Sequence, residues 1–184
     1  MTRIYTKTGD DGTTGLLYGG RVSKSDDLVE ACGDIDETVA ALGVVRASTE
    51  ASGDLAGLLL QLQRELFVVA ADLAANPQQR HRLVPGKSSV TPEMVNGLEE
   101  TIDALVFQRP LRPVFVVPGT TPTEAALDLA RAVVRRAERH LIRAMVTGRT
   151  VNDHVPRYLN RLSDLLYVIA RHEVGDVEEP ASHA

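Results

Sequence analysis

The sequence predicts an all-α fold, a five-helix up-and-down bundle with a short glycine-rich loop at its N-terminal end. Three observations carry this. Apolar residues recur at steps of three and four along five separate stretches, the spacing that lines one face of an α-helix. Good capping residues stand where those stretches begin, and proline follows in the first turn at Pro92 and Pro122, as helix N-termini favour. Alanine, leucine and arginine are abundant and are strong helix formers, while aromatic residues make up only 4% of the chain and tryptophan is absent.

Arg3-Ile4-Tyr5 is an extended lead into Thr6–Leu16, TKTGDDGTTGL. No apolar period runs through this stretch, so it is neither a core strand nor an amphipathic helix. Gly9, Gly12 and Gly15 allow the backbone to turn and come close to a ligand. Successive N–H groups in such turns form an anion-binding nest. Lys7 adds positive charge, and Thr6, Thr8, Thr13 and Thr14 add hydroxyls. Asp10 and Asp11 have the wrong sign for a bare phosphate but suit a metal ion that bridges phosphates. The stretch therefore reads in two ways: as a polyphosphate–Mg²⁺ cradle, or as a polar hairpin whose glycines only serve turns. Lys24, just before the first helix, either reaches the same anion or is a solvated lysine.

The first helix is expected from about Asp27 to Thr49, capped by Ser25 or Asp26. Leu28, Ala31, Ile35, Val39 and Leu42 form its buried stripe. Gly33, Asp36, Ala40, Gly43 and Ala47 form a second, small-residue seam. Glycine within a helix costs about 1 kcal/mol relative to alanine, so this seam points to a backbone packed closely against it. Asp36, the acid in the seam, then needs a cation if buried; otherwise it faces water. The second helix, about Asp54 to Ala75, repeats Leu55, Leu58, Leu62, Leu66, Val69 and Leu73 as core. Asn76–Val90 reads as a mobile surface loop. Its Gly86-Lys87-Ser88 is only a fragment of a P-loop, because His81 stands where that pattern requires glycine.

Thr91 caps the third helix, which runs through Val95, Leu98, Ile102, Leu105 and Val106 and ends before Pro110. Val114–Gly119 is a short apolar extended piece in which Phe115 is either core or an apolar face for a flat ligand. Thr121 and Glu124 set a capping box for the fourth helix. Its apolar stripe is Leu127, Ala130, Val134, Ala137 and Leu141, bordered by Arg131, Arg135 and Glu138, with Arg136 and Arg139 further round. The excess of arginine attracts anions and suits fork-like phosphate contacts; the alternative is a solvated face with i,i+4 pairs. The fifth helix, about Val155 to Val174, sets Val155, Leu159, Leu162, Leu166 and Ile169 against a polar face of Asn160, Asp164, Tyr167 and Arg171. The acidic tail from Gly175 is expected to be disordered.

At 184 residues the chain reads as a single domain, 1–184, divided into a loop segment 1–25, a bundle 26–174 and a tail 175–184. Its net charge of −5 argues against nucleic acid as a partner. Cys32 is the only cysteine, which rules out an intramolecular disulfide and fits a reducing compartment. No apolar run approaches a membrane span, and no signal-peptide pattern opens the chain, so a cytoplasmic location is expected. A di-iron carboxylate site needs Glu-x-x-His pairs, and no glutamate here is followed three residues on by histidine. Neither a Cys/His zinc pattern nor a Gly-x-Ser-x-Gly elbow is present.

Four motifs occur in register: TKTGDDGTTGL at Thr6–Leu16, GDIDETVAALG at Gly33–Gly43, RAVVRRAER at Arg131–Arg139 and LNRLSDLLYVIAR at Leu159–Arg171. Together, over Ile4 to Arg171, the chain resembles the PduO-type ATP:cob(I)alamin adenosyltransferase family. The resemblance implies a ferritin-like bundle assembled as a homotrimer, with ATP between subunits. It implies that Tyr5, Thr6, Lys7, Thr8, Gly9, Asp10, Gly12, Thr13, Thr14 and Lys24 of one chain hold the nucleotide's triphosphate end. Arg135, Glu138, Arg139 and Asn160 of the neighbour then hold the rest of the nucleotide. Asp36 is implied to pair with Arg131 across the interface, both serving catalysis with Arg135, and Phe115 to lie beside the corrin ring. The implied reaction moves the 5′-deoxyadenosyl group of ATP to the cobalt of cob(I)alamin or cob(I)yrinic acid a,c-diamide, with Mg²⁺ held through the phosphates. A cobalamin reductase and an adenosylcobalamin-dependent mutase are the implied partners. A non-catalytic ATP- or adenosylcobalamin-binding bundle, acting as sensor or delivery chaperone, is the alternative.

Overall fold

The computed structural model describes residues 4–49 and 53–181; Arg3 and the last three residues of the expected tail lie outside them. Five α-helices dominate: α1 (Asp27–Ala47), α2 (Asp54–Leu73), α3 (Pro92–Gln108), α4 (Pro122–Val146) and α5 (His154–Val174). Each lies within two residues of its expected bounds. A two-stranded antiparallel ribbon, β1 (Thr13–Gly15) and β2 (Arg21–Ser23), precedes them with Thr14 opposite Val22. The latter half of the glycine-rich stretch is therefore the first strand of a hairpin, as one of its two readings from sequence allowed.

The helices pack side by side in the order α2, α1, α4, α5, α3. Ile35 and Leu42 of α1, Leu62 and Leu66 of α2, Val134 and Leu141 of α4, and Leu162 and Leu166 of α5 are almost fully buried. These are the residues the helical spacing selected. Burying each such side chain contributes about 1.5–3 kcal/mol. Tyr158 is buried among them, and its hydroxyl donates to Glu65 Oε2 at 2.8 Å, tying α5 to α2. Burial and the Glu65 charge push the Tyr158 phenol well above its ordinary pKa. Asp26 caps α1 by accepting from Leu28 N at 3.0 Å, and its other oxygen pairs with Arg149.

Four expectations are corrected. First, Asn76–Val90 is not a loose loop. Pro77–Arg82 forms a 3-10 turn, and the segment closes around Asp72, which is fully buried. Asp72 pairs with Arg80 and accepts from Ser89 Oγ at 3.0 Å, Val90 N at 2.8 Å and Asn152 Nδ2 at 2.8 Å. Buried carboxylates need such partners, and sequence spacing does not show where partners from distant segments meet. Second, the tail through Ala181 packs back on the bundle: Val117 N donates to Glu179 O and Ala181 N to Phe115 O, each at 2.8 Å. Third, Glu124 does not close a capping box on Thr121. Thr121 Oγ1 accepts from Glu124 N at 3.1 Å, but the Glu124 carboxylate accepts from Gly119 N and Thr120 N instead. Fourth, Arg171 does not share the open polar face of α5 with Asn160 and Asp164. It is only 4% exposed and its guanidinium binds Glu124 and Asp128.

The small-residue seam of α1 divides in two. Gly43 is explained within the chain, because a Cβ there would lie 3.4 Å from Gln63 Nε2, which donates to Val39 O at 2.9 Å. Gly33, Asp36, Ala40 and Ala47 remain exposed on the other side, beside Val44, which is 60% exposed. The acid buried on α1 is instead Asp34, held by Arg136 Nε at 2.8 Å and His140 Nδ1 at 2.7 Å from α4. The Asp34 hydrogen bond raises the pKa of Arg136, so this cation stays charged.

Candidate functional site

The N-terminal loop is built from turns. Lys7 and Gly12 both take positive φ, 62° and 80°. A non-glycine residue in that region costs energy and marks a site where conformation is imposed. Asp10 N and Gly12 N donate to the carbonyls of Lys7 and Gly9 at 3.4 and 3.3 Å. Arg21 of β2 reaches back to clamp the loop, donating to Thr13 Oγ1 at 2.8 Å and also to Thr8 O. Asp11 accepts from Thr13 Oγ1 at 2.7 Å and from Thr13 N at 2.9 Å. The Thr13 hydroxyl, then its N–H, with Arg21 adding, hold the Asp11 carboxyl below its usual pKa.

Lys24 belongs to this loop. Its backbone N–H donates to Gly12 O at 2.9 Å, and a Cβ placed on Gly9 would lie 3.3 Å from the Lys24 ammonium. Gly9 thus leaves room for the cation as well as for a turn. Tyr5, Thr6, Lys7, Thr8, Asp10 and Lys24 are exposed, with Thr6 Oγ1 and Thr8 Oγ1 2.8 Å apart. The hairpin is fastened to the bundle by Leu17, whose N–H donates to Ala74 O at 2.8 Å and whose carbonyl accepts from Asn76 N at 2.9 Å. Beneath it lies an apolar cavity of about 140 Å³ that includes Cys32. Burial, with Asp26 adding, pushes the Cys32 thiol up to about 11, so it is a packing residue rather than a nucleophile.

The arginine-bearing face of α4 forms a second site. A cleft of about 600 Å³ between α3, α4 and α5 is lined by Arg131, Arg135, Arg161, Glu99 and Tyr167, among others. Glu138 and Asn160 adjoin Arg135 in sequence and across the α4–α5 seam, with Asn160 Nδ2 3.3 Å from Glu138 Oε1. Arg139, one turn on, donates to Arg135 O at 2.9 Å. Arg131 is held by Asp128 at 2.7 Å, and Asp128 in turn binds the buried Arg171. Within the chain, then, the loop residues and Arg135, Glu138 and Asn160 form two separate groups. Asp36 faces solvent and Arg131 has an intrachain partner.

Phe115 is 88% exposed. It lines a neighbouring cleft of about 550 Å³ with Arg112, Val114, Tyr167 and Ala181, so Tyr167 is a wall common to this cleft and the arginine-lined one. Sequence spacing left Phe115 open between core and ligand face; the structure excludes core within the chain. Spacing also missed Glu99, Asp128 and Arg161. Their carboxylate and guanidinium groups look like surface charge in sequence, and only the packing of α3 and α4 on α5 brings them to the site.

For Mg²⁺, no group of three or more His, Cys, Asp or Glu side chains converges among the described residues. Mg²⁺ is commonly bound by one or two carboxylates together with substrate phosphates rather than by an all-protein cage. Asp11 is engaged by Thr13 and Arg21, whereas Asp10 makes no ion pair among the described residues and is the loop carboxylate available to such an ion.

Residues 4–173 match the family described as Cobalamin adenosyltransferase. The corrinoid adenosyltransferase of Citrobacter freundii is 43% identical over 173 residues, covering 94% of this chain and 96% of that protein. That of Mycobacterium leprae is 41% identical, covering 93% and 91%. Among solved structures, a phenylalanine-to-alanine variant of the PduO-type ATP:corrinoid adenosyltransferase of Lactobacillus reuteri, complexed with cobalamin and ATP, superposes with a TM-score of 0.87. The two are 29% identical, with 98% of this chain and 100% of that one covered. By this family match and these identities, the chain belongs to the cobalamin adenosyltransferase family.

Proposed function

We propose that this protein transfers the 5′-deoxyadenosyl group of ATP to the cobalt of cob(I)alamin, giving adenosylcobalamin and triphosphate, in a site completed by a second copy of the chain. The observation that carries this reading is the pairing of an arginine-lined cleft with the cleft that bears the exposed Phe115, the two sharing Tyr167. A polar pocket lined by arginines and carboxylates, in which Arg135 makes no ion pair among the described residues, therefore lies next to an apolar surface suited to a flat macrocycle.

The chemistry asks little covalent work of the protein. The cobalt(I) lone pair attacks C5′, the Co–C bond forms as the C5′–O bond breaks, and triphosphate leaves with the electron pair. Corrinoid and ATP both bring their own reactive atoms, so the protein contributes orientation and stabilisation of the leaving charge. Lys7, Lys24 and the loop amides meet the triphosphate, and Asp10 would hold, together with the phosphates, a Mg²⁺ ion that would neutralise charge there. Arg135, Glu138 and Asn160 of the neighbouring chain hold the rest of the nucleotide. Phe115 covers one face of the cobalt and keeps water and the lower axial ligand away, which favours the four-coordinate cob(II)alamin that is easier to reduce. In the trimer Arg131 meets Asp36 of the adjoining subunit while keeping Asp128 on its own helix. A cobalamin reductase supplies the electron and an adenosylcobalamin-dependent mutase uses the product, both in the cytoplasm.

The test is turnover. Protein, ATP, Mg²⁺ and chemically reduced cobalamin are mixed and the cobalamin spectrum followed. Adenosylcobalamin well beyond one equivalent per site is expected; formation that stops at one equivalent, or binding without reaction, would make the protein a carrier or sensor.

A further inference from the structure

We propose that Arg161, backed by Glu99 of α3, is a positioning residue that fixes which end of the Asn160 amide faces the nucleotide; this rests on the ATP reading of Asn160 above. Arg161 Nε donates to Glu99 Oε1 at 2.7 Å, and Arg161 NH1 donates to Asn160 Oδ1 at 2.7 Å. Asp164 Oδ2 lies 3.8 Å from the same nitrogen. A guanidinium has five donors and no acceptor, so only the amide oxygen of Asn160 can face it. The orientation of an amide is read from its neighbours, and here both neighbours agree. Asn160 Nδ2 lies 3.3 Å from Glu138 Oε1, and a carboxylate can only accept.

The consequence is chemical. With Oδ1 held by Arg161, Asn160 presents N–H donors on the Glu138 side. The ligand atom it meets must be an acceptor: a phosphate or ribose oxygen, or a ring nitrogen of the base. The Glu138 contact is the longer of the two, and Glu138 itself turns to the nucleotide in the proposed complex. Arg161 is then the restraint that remains when ATP is bound. Stability does not account for the arrangement. The Arg161 and Glu99 side chains are 41% and 45% exposed, and exposed pairs add little to folding.

The experiment measures ATP affinity on the full-length protein for Arg161→Met, Arg161→Lys, Asn160→Ala and the Arg161→Met/Asn160→Ala double variant, with thermal unfolding as the fold control. Losing one oriented hydrogen bond predicts about 2- to 12-fold weaker binding in Arg161→Met, with partial recovery in Arg161→Lys, which keeps a donor. Because Arg161 acts through Asn160, the double variant should bind no more weakly than Asn160→Ala alone. Wild-type affinity in Arg161→Met, or losses that multiply in the double variant, would overturn the proposal while leaving the ATP site intact. Wild-type affinity in Asn160→Ala would instead remove the ATP reading of that residue, and the proposal with it.

Discussion

Replacing Arg171 with methionine keeps most of the side-chain length and removes a cation from the interior. Glu124 is 1% exposed, Asp128 5% and Arg171 4%, so the two carboxylates would be left buried beside an uncharged thioether. Breaking a buried pair in this way typically costs about 3–5 kcal/mol. Two details place this site near the lower end. Asp128 keeps Arg131 at 2.7 Å, and Glu124 keeps the N–H groups of Gly119 and Thr120 at 2.7 and 3.0 Å. At about 2–4 °C per kcal/mol for a chain of this size, a loss near 3 kcal/mol lowers Tm by about 6–12 °C. Thermal unfolding at one fixed protomer concentration measures this, since association between subunits also moves Tm. The triple variant Arg171→Met/Glu124→Gln/Asp128→Asn should regain much of the loss, because it removes the stranded charges. A Tm within about 2 °C of wild type in Arg171→Met would refute the reasoning.

Lys24→Ala should weaken ATP binding and slow adenosyl transfer together, through loss of a charge-assisted contact worth about 1.5–3 kcal/mol, with Tm unchanged; titration of ATP and initial rates check both. Phe115→Ala should slow reaction from cob(II)alamin more than from pre-reduced cob(I)alamin, and equal losses in the two assays would remove its role at the cobalt. Asp36→Ala and Arg131→Ala should each weaken trimer assembly in sedimentation, and the double variant should lose less than the sum of the singles because the two residues share one interaction. Cys32 should alkylate slowly at pH 8 in the folded protein. Its folded pKa of about 11 stands above the ordinary thiol value of 9.0, so the stability linked to its protonated form is complete below pH 9 and is lost as pH rises towards 11.

How much of this was legible in the sequence depends on the range of the interaction. The helices were, because a repeat of three and four needs only near neighbours: Leu62 and Leu66 of α2 and Leu162 and Leu166 of α5 are all fully buried. Local caps were legible too, at Asp26, Thr91 and Thr121. Buried charges were not. Arg171 shares a periodic face with Asn160 and Asp164 that read as polar surface, for a ligand or for water, yet the partners that bury it are Glu124 and Asp128 on another helix. Asp72 drew no attention within a leucine-rich helix, although it organises the segment from Arg80 to Val90. Lys24 shows the intermediate case. Its place before α1 was clear from sequence, but its reach to Gly9 depends on the β1–β2 hairpin folding back.

The same buried charges explain why so exposed an aromatic as Phe115 has a defined place. Glu124 takes the N–H groups of Gly119 and Thr120, fixing the turn that follows it in sequence. Arg171 grips Glu124, and its Nε lies 3.5 Å from Glu178 of the tail. The tail then runs antiparallel to residues 115–117, with Val117 N on Glu179 O and Ala181 N on Phe115 O. The backbone carrying Phe115 is therefore tied from the bundle on one side and from the tail on the other, while the ring itself is uncovered. A large apolar side chain on a well-tethered segment, at the edge of a cleft it shares with Tyr167, is the setting in which the proposed corrinoid contact of Phe115 would be made. Arg171 does not itself line that cleft but lies over one of its walls, its guanidinium carbon 5.2 Å from the centroid of the Tyr167 ring, and the ion cluster it centres ties the segment that carries Phe115.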